Sequence, residues 1–287
     1  MKRFFQFLLS LFLLTVIVFL AWLMTPELQF LASPNRIGVI EVRGMIDNVQ
    51  TSLKALKEFR QDDNVRAIVV RIDSPGGGIG ASQELHREIW RTREEKPVVA
   101  SLGGIAASGG YYIASAANRV IANPGTITGS IGVISYFPNL RELFDKIGFG
   151  TVIIKSGQFK DIGNPGREMT QEEKALLQTT MDQAHAQFIR DVARGRSLPE
   201  TKVSEIADGR IIMGETAHQL GLVDELGNFE DAVIASARLG KIEGEPDLLY
   251  AKKKKRSLLE FLLGTDVSEQ LDNLVNSPPG ILRYQAR

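Results

Sequence analysis

From residue 36 onward, short apolar runs alternate with stretches of helical periodicity. RIGVIEVRGMI (36–46) reads as a strand, VQTSLKALKEFRQ (49–61) as a helix and VRAIVVRI (65–72) as a strand. After a glycine-rich loop come a helix at SQELHREIWRTREE (82–95), a strand at PVVASLGG (97–104) and a helix from about Ser108 to Ala117. RVIAN (119–123) reads as a strand, NLRELFDKIG (139–148) as a helix and TVIIKSG (151–157) as a strand. Residues 170–196 form one long amphipathic pattern that opens on Thr170-Gln171-Glu172-Glu173. That opening is a capping box, in which a threonine and the residue three positions on satisfy each other's backbone N–H. Such alternation predicts βαβ crossovers and a mostly parallel α/β sheet, with ligands bound at the carboxyl ends of its strands.

The two ends of the chain break this pattern. FFQFLLSLFLLTVIVFLAWLM (4–24) follows Lys2-Arg3 and is interrupted only by Gln6, Ser10 and Thr15. As a helix it would reach roughly 31 Å, the thickness of a bilayer's hydrocarbon. It outruns a signal-peptide core, and no small-residue cleavage site follows it promptly, so an uncleaved anchor is expected. The basic pair ahead of it favours a cytoplasmic N-terminus at 1–3 and the rest of the chain outside. Residues 25–35 then serve as a linker, 36–250 as the main domain and 251–287 as a tail. The tail carries KKKKR (252–256) ahead of the apolar SLLEFLLG. A solvated linker with a packing helix accounts for that run, and contact with an anionic membrane surface is the alternative.

Composition narrows the chemistry. Lys+Arg and Asp+Glu are each 34, so no global charge calls for nucleic acid. The absence of cysteine removes disulfides, thiolate catalysis and cysteine metal sites. His86, His185 and His218 are scattered without metal-ligand spacing or an obvious orienting acid, and read as surface or helix residues.

Two glycine turns follow apolar runs: RIDSPGGGIG (71–80) and SLGGIAASGGYY (101–112). Pro75 fixes a bend, and Gly76, Gly77 and Gly78 can leave N–H groups open to a ligand. A phosphate loop is disfavoured, because no Gly-Lys-Ser/Thr ends the turn. An oxyanion hole uses the same feature, placing N–H donors about 3 Å from a developing charge. Ser108 at the start of a helix would have that helix's first N–H groups beside it. A serine needs a base, however, and the histidines lack support for the role. A lysine can serve if burial keeps it neutral. Lys146 and Lys174 lie in charged helical surroundings, whereas Lys155 and Lys160 flank SGQF after the strand TVII, in a Gly/Pro loop near strand ends. The residues alone do not choose between these last two.

Taken together, RIDSPGGG, IAASGGYYIASAAN, TGSIGV and FKDIGNPGR resemble the signal peptide peptidase A family, peptidase family S49, over roughly 36–240. The resemblance implies a Clp protease/crotonase-like fold of repeated ββα units. It implies Ser108 as nucleophile, Lys160 of the K-x-x-G-x-P motif as general base, and Ser130 of T-G-S-I-G as the residue that holds the lysine. By kinship with Clp and crotonase proteins, Gly77 and Gly109 would donate to the oxyanion. Asn164 stands where the family often has serine, a departure that leaves the base untouched. Further implications are a membrane-anchored serine endopeptidase that needs no metal or cofactor and forms a homo-oligomer, serine and lysine meeting across protomers. Its substrates would be signal-peptide remnants or other envelope polypeptides at the outer, periplasmic face of the cytoplasmic membrane. Competing readings are a stomatin-type membrane peptidase, a crotonase-like acyl-CoA enzyme and a non-catalytic scaffold. The anchor opposes the acyl-CoA enzyme, and the presence of Ser108, Ser130 and Lys160 opposes the scaffold.

Overall fold

Side chains along the central strands point alternately to two covered faces, which is why these strands read as unbroken apolar runs. The computed structural model describes residues 35–251 and 283–285, with Gln6 and a helical stretch at 10–20 whose side chains are exposed. The rest of the 4–24 run expected as an anchor, residues 25–34 of the expected linker and the KKKKR run with its apolar sequel lie outside the described residues. Among the described residues, no helix is long and apolar enough to cross a membrane.

The chain runs β1 (Arg36–Arg43), α1 (Gln50–Gln61), β2 (Val65–Ser74), β3 (Gly76–Gly78), α2 (Ile79–Arg93), β4 (Val98–Ala106) and α3 (Gly109–Ser115). It continues through β5 (Arg119–Ala122), β6 (Ile127–Gly129), α4 (Arg141–Ile147), α5 (Gln171–Arg196), α6 (Glu200–Ser204), β7 (Ile211–Met213) and α7 (Gly214–Gln219). β8 (Glu225–Leu226), α8 (Phe229–Leu239), β9 (Asp247–Tyr250) and β10 (Arg283–Gln285) complete it. The main sheet has the order β7-β6-β4-β2-β1-β9, with β5 paired to β4 and β8 to β5. Its pairings are parallel except β6–β7. The expected mixed α/β architecture with a mostly parallel sheet is therefore present.

One face of the sheet buries Ile40, Ile68, Val70, Ile72, Ala100 and Leu102 with Leu85 and Ile89 of α2, Tyr111 and Tyr112 of α3 and Phe188 and Val192 of α5. On the other face Val233 packs with Ile37, Val39, Ala67 and Val69. Ala232 and Ala235 of α8 join Val99 and Ile121 there. The capping box at Thr170 and Glu173 forms as read from the sequence.

Two readings change. TVIIKSG is not a strand: residues 151–155 have no regular structure, and Val152 and Ile154 are 93% and 96% exposed. Its β-branched residues have the right propensity, but no neighbouring strand supplies hydrogen bonds, and propensity without a partner does not make a sheet. His86 lies on a helix as expected but is buried rather than superficial. Its ring packs 4.6 Å from that of Tyr112, whose hydroxyl donates to Asp191.

Burial pushes the His86 imidazole down to about 4 from 6.5, with Arg93 and Arg194 acting the same way and Asp191 opposing them. Between these two values the unfolded chain binds a proton that the folded chain refuses, so stability falls as pH drops from about 6.5 towards 4. Urea denaturation at pH 7.5 and 4.5 should show wild type losing about 2–3 kcal/mol more than His86→Phe. Equal losses in the two chains would remove His86 as the cause.

Candidate active site

The carboxyl ends of β2 and β4 and the chain just after them build one site. Ser108 lies two residues past the end of β4 and is the N-cap of α3, with φ 52° and ψ −118°. A serine held at positive φ is strained, and such strain persists only where surrounding contacts enforce it. Here the Ser108 N–H donates to Gly129 O at 2.8 Å, Ala107 N–H donates to Ser74 O at 3.1 Å, and Tyr112 N–H returns to Ser108 O at 2.8 Å. Ser108 is fully buried, and its Oγ has no hydrogen-bond partner. Gly109 is the first residue of α3, so its N–H has no acceptor within the helix.

The PGGG turn forms β3, which lies beside this serine. Ile46 N–H donates to Gly76 O and Gly78 N–H donates to Ile46 O, both at 2.9 Å. Alternation along the strand then turns the N–H and C=O of Gly77 to the opposite edge. On that edge lies β10, antiparallel, with Tyr284 opposite Gly77. Gly77 and Gly109 come close: a Cβ built on Gly109 would stand 3.1 Å from Gly77 N. The pairing of β10 with β3 was not legible in the sequence, since three residues at the far end of the chain carry no alternation to announce a strand.

Ser130 also has positive φ, 50°, and follows the Gly129 carbonyl that receives the Ser108 N–H. Its own N–H donates to Arg210 O at 2.8 Å. It lines a cavity of about 380 Å³ together with Val133, Met181, Asp182, His185 and Asp208. The structure thus brings together Ser108, Ser130, Gly77 and Gly109.

Lys160 is placed elsewhere. It lies exposed in a run of turns within residues 134–169, an arm whose helix α4 buries no residue. Because Ser108 Oγ is unpartnered, Lys160 does not meet it within one chain. Lys155, the other lysine of this loop, is engaged: its ammonium pairs with Asp161 and donates to Gln158 O at 2.8 Å. Arg167 braces the arm against the start of α5, donating to Asp161 at 2.9 Å and to Glu173 at 2.8 and 2.5 Å. Arg167, and after it Lys155, holds the Asp161 carboxyl well below the usual carboxylate range. Arg167 and the Thr170 N–H bring Glu173 down to about 2. Sequence reasoning missed this brace. Its only written trace is Glu173, which serves the cap and the arginine at once.

Residues 91–243, more than half the chain, match the peptidase family S49. A candidate protease of Synechocystis is 44% identical over 244 residues, 84% of this chain and 88% of that one. The chain belongs to peptidase family S49. Further S49 relatives are the chloroplastic serine protease SPPA of Arabidopsis thaliana, 36% identical over 80% of this chain, and Protease 4 of Haemophilus influenzae, 34% identical over 72%. This chain spans only 36% and 35% of those two longer proteins. Family S49 and its protease relatives make this a serine-type peptidase, and the mostly parallel α/β sheet fits the Clp-protease-like fold of such enzymes.

Proposed function

We propose that this S49 peptidase hydrolyses peptide bonds with Ser108 as nucleophile and Lys160 of a second copy as general base. The observation that carries the reading is the Ser108 hydroxyl: buried, without a partner, on a strained helix cap, and beside a glycine strand. Neutral Lys160 Nζ takes the Ser108 proton as Oγ bonds to the peptide carbonyl carbon. The N–H groups of Gly77 and Gly109 stabilise the oxyanion. As the intermediate collapses, the C–N bond breaks and Lys160 returns the proton to the leaving amine. Water, deprotonated by the same lysine, then releases the acyl group as a carboxylic acid. Ser130 orients the lysine from the cavity beside it. Docking there buries the lysine, and burial favours the neutral amine a base requires.

The substrate is an extended polypeptide. β3 accepts an antiparallel strand from the chain's own β10 on the edge to which Gly77 turns. A substrate main chain would take the place of β10 on the same edge, which frees the Gly77 N–H, with backbone hydrogen bonds supplying much of its affinity. With residues 4–24 as an uncleaved anchor, the enzyme acts at the extracytoplasmic face of the membrane. Apolar signal-peptide remnants are the substrates that reach it there.

A fluorophosphonate label and a peptide turnover assay test this reading. Wild type should label at Ser108, and Ser108→Ala should lose at least about 10³-fold in kcat with its Tm unchanged. Turnover surviving in Ser108→Ala, or label on another serine, overturns the assignment.

A further inference from the structure

Ser82 lies in the first turn of α2, which follows directly from β3. Its residue is 0% exposed, and its Oγ has no hydrogen-bond partner. Other buried hydroxyls nearby do find acceptors: Thr126 donates to Gly103 O and Thr128 to Ala106 O, both at 2.7 Å. A Cβ built on Gly109 would meet Ser82 Oγ at 2.7 Å, Gly77 N at 3.1 Å and Gly76 Cα at 3.3 Å. The Ser82 hydroxyl and the backbones of Gly76 and Gly77 therefore converge on the face of Gly109 where a side chain would stand. Among the described residues, Ser82 and Ser108 are the buried hydroxyls without a partner that flank Gly109.

We propose that Ser82 is a positioning residue of the oxyanion hole, its hydroxyl left free in the resting enzyme to turn toward the charge that develops between Gly77 and Gly109. The inference rests on hydrolysis at Ser108. An unpaired buried hydroxyl is costly, and packing alone does not call for one, since the methyl of alanine fits the same place. What alanine lacks is the O–H dipole. In a dry pocket a dipole close behind two N–H donors strengthens the field at the oxyanion, and its effect grows only as negative charge appears. It therefore acts on the transition state rather than on substrate binding. The crowding at Gly109 has a second consequence: any side chain at 109 would push on Ser82 and Gly77 together and spread the donors.

The test compares wild type, Ser82→Ala and Ser82→Thr on one peptide substrate and on a peptide aldehyde, whose adduct with Ser108 carries the oxyanion. Ser82→Ala should keep its Tm or gain, since an unpaired polar group is removed, and should keep KM within two-fold. Its kcat should fall about ten-fold, and its affinity for the aldehyde by a similar factor. Ser82→Thr, which retains the hydroxyl, should recover most of both. Unchanged kcat and aldehyde affinity in Ser82→Ala overturn the proposal. So does a loss confined to KM and Tm, which is the mark of packing. Wild type without turnover or Ser108 labelling overturns the hydrolytic reading itself, and this proposal with it.

Discussion

Ser108→Ala and Lys160→Ala should each be inactive alone and should regain activity when the two chains are co-expressed. If each site takes its serine from one copy and its lysine from the next, random mixing leaves about a quarter of sites with both groups intact. Activity near a quarter of wild type is the expected result, against losses of about 10³-fold or more in either variant alone. The reasoning starts from a separation. Ser108 Oγ is buried and unpartnered, while Lys160 stands exposed on the 134–169 arm. That arm also presents Ile147, Val152 and Ile154 to solvent at 64%, 93% and 96% exposure. We propose that these apolar side chains meet a second copy, the partner that would also complete the chemistry. The cavity beside Ser130 gives the lysine a place to arrive. An inactive mixture, with subunit exchange verified by mass, would require a base from within the same chain.

Most of the scaffold was legible because local pattern and tertiary outcome agree along it. β1, β2 and β4 are apolar on both faces, and both faces are covered. The capping residues Thr170 and Glu173 do what their spacing says. α2 begins at Ile79, three residues before the helical pattern at 82–95, because Ile79, Gly80 and Ala81 carry too little pattern to extend the helix back to the glycine strand. TVIIKSG failed for a different reason: strand propensity is expressed only against a neighbour. His86 has an ordinary helical setting in sequence, and only the approach of Tyr112 and α5 buries it. The site divides along the same line. Ser108, Ser130, Gly77 and Gly109 are joined by β-strand ends and short turns, so motif order mapped onto space. Lys160 was named by its motif, yet its position depends on the braced arm. The alliance of β10 with β3 spans some two hundred residues and leaves no local mark.

Replacing Gly77 with alanine should cut activity steeply and weaken the fold together, and the reason lies in the backbone opposite. The added Cβ would fall 2.4 Å from Ile46 O and 2.5 Å from Ile46 N. Neither atom is a side-chain end that can swing aside. Both belong to the segment clasped to β3 by the Ile46–Gly76 and Gly78–Ile46 hydrogen bonds. Relief requires moving β3, which moves the Gly77 N–H away from Gly109 and disturbs the edge that pairs with β10. The expected cost is about 2–3 kcal/mol of stability from overpacking. The expected fall in kcat is about 10²–10³-fold, the usual consequence of losing one oxyanion donor. Gly80, three residues on and inside α2, is the control: a Cβ there meets nothing within 4 Å. Gly80→Ala should keep full turnover and gain roughly 0.5–1 kcal/mol in urea denaturation, because alanine gives up less backbone freedom in a helix. If Gly77→Ala keeps kcat within ten-fold while losing the same stability, the oxyanion is held elsewhere than on β3. If both variants lose activity alike, the whole turn from Pro75 to Ala81 is sensitive to bulk, and the donor role of Gly77 has no separate support.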